Sequence, residues 1–175
     1  MREYINIVET ASAMGKPMTV IAYHGAHTQF DSFDSDQSSE FSGVQRLGVW
    51  FTDSFEAAKR FALDGNHADH FGHEEAWVIE ARLTFRKALV VNGWQEGLHG
   101  AAGAILEPYD YRQYERSFEA FRARLIEEGF DGIVIENSST DNAGHRTDYV
   151  VLDHSAISIT GKEQINEPYH WGDDE

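Results

Sequence analysis

From residue 18 to residue 24 apolar and polar positions alternate, with Val20, Ala22 and His24 on one face, which predicts a half-buried strand ending on a histidine. Similar signals predict strands over 48–52, 76–83, 131–136 and 148–152, with a further one over 155–160. In the segment 76–83, Trp77, Ile79, Ala81 and Leu83 point inward, and 88–91 reads as its continuation after an irregular step at 85–87. Helical spacing takes over elsewhere. Tyr4, Val8 and Ala11 form a stripe over 2–13 that Gly15 and Pro17 terminate. Phe55, Ala58, Phe61 and Ala62 share one side of a helix capped by Asp53 or Ser54, and Tyr114, Phe118, Phe121 and Leu125 form a stripe ending at Gly129.

Strands interrupted by three helices, without a regular βαβ alternation, predict an α+β domain built on a split mixed or antiparallel β-sheet with flanking helices. The length of 175 residues fits one domain over 1–175, its core at about 18–160, followed by the acidic tail Asp173, Asp174 and Glu175. The segment 29–42 is rich in Ser, Asp and Gln, too polar for core and too long for a tight turn, and reads as a lid or binding loop. A polar turn over 137–145 closes a hairpin-like connection, while the glycine-bearing stretch 92–109 carries no clear periodicity.

Composition narrows the chemistry. The absence of cysteine excludes disulfides and thiolate zinc sites. A formal charge of -16 repels polyanions, so nonspecific nucleic-acid binding is not expected, and it favours partners with basic surfaces. No run approaches the twenty or so apolar residues that span a bilayer, and acids stand at the N-terminus where a signal peptide has a basic flank, so no membrane association and a cytoplasmic location are expected. His67, His70 and His73, with Asp69 and Glu74, fit no common zinc spacing and read as a loop, so no metal is expected.

Three strand motifs occur in order: Tyr23-His24-Gly25, then Gly48-Val49-Trp50-Phe51-Thr52, then Asp148-Tyr149-Val150-Val151. With Gly129-Phe130-Asp131-Gly132 and the tail Leu152-Asp153-His154-Ser155-Ala156-Ile157, the series resembles the ADP-ribosyltransferase superfamily, and within it the transferase domains of phage polyvalent proteins. The resemblance implies NAD as co-substrate and binding roles for His24, Gly25, Trp50, Phe51, Thr52 and Phe61. By position His24 would bond the adenosine ribose, the Gly25 main chain would hold the carboxamide, and Phe61 would stack on nicotinamide. Trp50 replaces the strand tyrosine, Asp148 stands where most members have glutamate, and Ala58 stands where some have a carboxamide-binding serine. A bacterial cytoplasmic setting, as a phage-encoded modifier of the host or as a toxin, follows by the same analogy.

The chemistry gives these residue types a reason. Nicotinamide leaves the ribose C1′ through an oxocarbenium-like transition state, which a carboxylate stabilises and a flat apolar slot shields from water. Asp148 is the candidate acid, His24 a second catalytic candidate, and Glu136 on the neighbouring strand a candidate activator of the acceptor. An acid that opens a strand is otherwise solvated or paired with a neighbour such as Arg146. The expected activity is mono-ADP-ribosyl transfer to a macromolecule, most readily a host or target protein with a basic surface. NAD glycohydrolysis and an inactive NAD-binding module remain open alternatives at this point.

Overall fold

The computed structural model describes residues 17–33, 43–64, 75–93, 111–138 and 145–166. Seven strands make one sheet: β1 (Met18–Ala26), β2 (Val49–Thr52), β3 (Trp77–Phe85), β4 (Ala88–Asn92), β5 (Gly132–Glu136), β6 (Asp148–Val151) and β7 (Ile157–Gln164), in the order β4-β5-β6-β2-β1-β3-β7. Every pairing is antiparallel except β4 with β5, so the sheet is mixed. Among the described residues two α-helices, α1 (Phe55–Asp64) and α2 (Tyr111–Glu127), pack on it, giving the expected α+β architecture. The expected helix over 2–13 and most of the stretch 92–109 lie outside the described residues.

The sheet is split and folded over. β1 pairs with β3 along its whole length but with β2 only at Tyr23↔Thr52. Phe85 of β3 and Tyr149 of β6 stack with ring centroids 6.4 Å apart, although three strand steps separate them in the sheet. A flat sheet would hold them roughly 14 Å apart. The halves therefore close on a shared interior of Ala22, Phe51, Ala81, Leu83, Phe85, Val134, Tyr149 and Val151. Behind the β4-β5-β6-β2 half, α2 lays Phe118, Phe121 and Leu125 on Ile133, Ile135 and Val150.

Local chemistry fixes the helix ends. The Ser54 hydroxyl accepts the Ala57 N–H at 3.2 Å, an N-cap for α1. At the end of α2, Gly129 adopts φ +81°, and the Gly129 and Phe130 N–H groups reach Ile126 O and Leu125 O, each at 2.9 Å. That is a Schellman ending, and it turns the chain straight into β5.

Two expectations fail. The segment 88–91 does not continue β3: Ala88–Asn92 is the far edge strand, parallel to β5. The reversal is held by buried Asp131, which accepts the N–H groups of Arg86 (2.7 Å) and Lys87 (3.0 Å). Phe61 does not share the buried side of α1. Ala57, Ala58, Ala62 and Leu63 are buried, whereas Phe61 is 55% exposed. Small residues take the inner face because the helix lies almost on the strand: a Cβ on Gly25 would stand 2.2 Å from Ala58 O and 2.7 Å from Ala62 N.

Candidate active site

The opening between β1 and β2 begins at His24, one residue past the single ladder pair. The ring Nδ1 lies 2.7 Å from Trp50 O. A carbonyl only accepts, so Nδ1 carries the proton and a neutral ring leaves Nε2 as an acceptor. Burial pushes the His24 pKa below 6.5, the Trp50 carbonyl bond opposes that shift, and His27 adds to it. The ring is walled by Phe33 (5.2 Å), Phe51 (5.5 Å) and Phe30 (6.2 Å). Among the described residues no partner meets Nε2. The result is a neutral acceptor in an aromatic recess, suited to a hydroxyl such as that of a ribose.

The adjacent face carries the second group. Thr52 pairs with Tyr23 on one side and Asp148 on the other, and cross-strand partners share a face. His24, Phe51 and Tyr149 therefore occupy one face, and Gly25, Thr52 and Asp148 the other, at the same end of the sheet. Asp148 is 4% exposed, and both carboxylate oxygens are engaged. Oδ1 accepts Arg146 Nε at 3.2 Å and Oδ2 accepts the hydroxyl of fully buried Ser138. The Arg146 guanidinium also lies 5.8 Å from the Phe61 ring centroid, within cation–π range. A chain of contacts thus runs Ser138–Asp148–Arg146–Phe61, and Phe61 borders Gly25.

The remaining candidates are placed as follows. Phe51 is buried in the interior beside His24. Trp50 packs its side chain toward the α2 cluster, and its carbonyl reaches His24. Glu136 is exposed at the end of β5, one residue beyond the Ile135↔Asp148 pair. Burial first, then the charges of Asp53, Asp148 and Glu136, raise the Tyr149 pKa, which puts three acids around this end of the sheet. The structure therefore puts His24 in ring contact with Phe51 on one face, and sets Gly25, Thr52 and Asp148 on the other, where Phe61 borders Gly25.

Sequence reasoning missed Ser138 and the part played by Phe30 and Phe33. Ser138 is a small polar residue in a polar connection, with no local signal. The phenylalanines stand in a stretch read as too polar for core, yet Phe33 packs on the interior and on His24. An aromatic pair in an otherwise acidic segment was the available signal. The histidine group at 67–73 lies outside the described residues, and no metal-holding group of three His, Asp or Glu occurs among the described residues.

A mixed seven-stranded sheet flanked by helices matches an ADP-ribosyltransferase-like fold. Residues 12–166 match the family model described as ADP-ribosyltransferase in polyvalent proteins, and the chain belongs to that family. NAD is the co-substrate of such transferases. Among solved structures, a chain in the crystal structure of the M. tuberculosis MbcT–MbcA toxin–antitoxin complex shares the fold. It has a TM-score of 0.57 at 14% identity, over 94% of this chain and 93% of that one. No curated protein matches the chain in sequence.

Proposed function

We propose that the chain is a mono-ADP-ribosyltransferase that cleaves NAD at the nicotinamide–ribose bond and transfers ADP-ribose to a protein. The observation that carries this reading is the neutral His24, its Nδ1 held by the Trp50 carbonyl and its Nε2 meeting no partner among the described residues, at the point where β1 leaves β2. Family membership supplies the co-substrate.

In this reading His24 accepts a hydroxyl of the adenosine ribose, with Phe51 walling its ring. The main chain of Gly25 holds the carboxamide, Thr52 borders it, and the exposed Phe61 ring stacks on nicotinamide. Trp50 contributes through the carbonyl that fixes the His24 tautomer. As the C1′–N bond breaks, its electrons leave with nicotinamide, and the Asp148 carboxylate stabilises positive charge on the ribose. A nucleophile on the acceptor then attacks C1′ and gives its proton to the exposed Glu136. The charge of -16 favours an acceptor with a basic surface. A role as a toxin or host modifier in the bacterial cytoplasm fits a family named for polyvalent proteins and a fold shared with a chain of a toxin–antitoxin complex.

A second reading has its own observation. Both Asp148 oxygens are already engaged and Ala58 offers no hydroxyl, which favours a module that binds NAD without cleaving it. Labelled NAD, bacterial lysate and wild-type or Asp148→Asn protein separate the readings. Labelled lysate protein with wild type alone supports the transferase. Free ADP-ribose without labelled protein makes the chain a glycohydrolase, and NAD bound but intact makes it the module.

A further inference from the structure

Asp148 is buried, and each of its carboxylate oxygens accepts from a buried side chain. Ser138, which donates to Oδ2, is 0% exposed, and Arg146, which donates to Oδ1, is 9% exposed. Neither contact is an accident of adjacent surface chains. The Ser138 N–H donates to Arg146 O at 2.9 Å, so the two donors are locked to each other across the β5–β6 connection before either reaches the carboxylate. The residue ahead of Ser138 is Asn137, at φ +51°, a left-handed conformation that asparagine tolerates better than most residues. Its Nδ2 donates to Asn92 Oδ1 at 2.8 Å, which fastens this bend to the end of β4. The chain thus adopts an uncommon backbone state immediately before the serine that meets Asp148.

On the other side the Arg146 guanidinium faces the Phe61 ring. Phe61 sits on α1, which is fixed against Gly25 by a contact too close for any side chain on that glycine. One residue therefore ties the acid on β6 to the aromatic ring on α1.

We infer that Ser138 and Arg146 are positioning residues, which set a short carboxylate at the distance the ribose requires and fix it relative to the Phe61 ring. The inference rests on the transferase reading and deepens it. Aspartate is not a weakened version of a longer acid in this site; the two donors are placed for the aspartate side chain. A glutamate at 148 carries its carboxylate one methylene further and meets neither donor in its present position. Displacing a reacting group by about 1 Å costs on the order of 10²-fold in rate, so the longer acid slows the reaction here.

The test measures steady-state nicotinamide release and thermal melting for wild type, Ser138→Ala, Arg146→Lys and Asp148→Glu. Arg146→Lys keeps the positive charge beside Asp148 and removes the planar donor, so it guards against a variant that merely fails to fold. The expected result is a roughly 10- to 100-fold lower kcat in each folded variant, with KM for NAD changed far less. A purely structural role would lower the melting temperature and leave kcat of the folded fraction intact. A kcat raised by Asp148→Glu, or left unchanged by both donor variants, overturns the inference while the transferase reading stands. Wild type that releases no nicotinamide overturns both.

Discussion

His24 is kept neutral by burial, and that has a consequence for pH. Its pKa in the folded chain lies below 6.5, so as pH falls the unfolded chain takes up the proton first. Stability is therefore unaffected above that value and declines below it until the folded ring protonates too. The melting temperature of wild type should drop more between about pH 7 and pH 5 than that of His24→Gln; equal slopes would mean the ring is not shielded. At Gly25, substitution by Ala drives a methyl into Ala58 O and Ala62 N and should destabilise by about 1–3 kcal/mol, as overpacking does. Chemical denaturation measures it. Asp148→Ala breaks the buried ion pair with Arg146 and removes the acceptor of the Ser138 hydroxyl, and should destabilise by about 3–5 kcal/mol, more than Asp148→Asn. The pairing of Asp148 with Arg146 was legible from their spacing, and His24, Gly25 and Asp148 were singled out by short motifs. Ser138 was not, because a serine shows its role only when the chain folds back to meet a carboxylate.

Elements follow from periodicity where one face is buried against one neighbour. β1, β3 and α2 all do this, and their patterns of two and 3.6 residues are plain in the sequence. β4 does not. Its apolar run directly follows that of β3, and nothing local reveals that it crosses to the opposite edge and pairs in parallel with β5. The crossing depends on Asp131, distant in sequence, which accepts three donors from Arg86 and Lys87. Asp131→Ala should remove the acceptor of two part-buried main-chain N–H groups and destabilise the domain by about 1–3 kcal/mol, read from denaturant midpoints. α1 misled for a related reason: its amphipathic stripe includes Phe61, but the close approach to β1 is made at Ala58 and Ala62, and the ring is turned out.

At the level of the whole molecule, the split sheet explains why the candidate residues come from four separate strands and one helix. β1 leaves β2 after one ladder pair, just before His24 and Gly25, and β6 lies beside β2, which sets Asp148 opposite Thr52 on the face that Gly25 shares. Among the described residues no helix is long and apolar enough to cross a membrane. The most direct measurement is nicotinamide release from NAD by purified wild type, compared with folded Asp148→Asn. NAD cleavage by wild type, with a drop of roughly 10²- to 10³-fold in the variant, is the expected result. NAD that stays intact with wild type, or equal rates in the two proteins, would contradict the account.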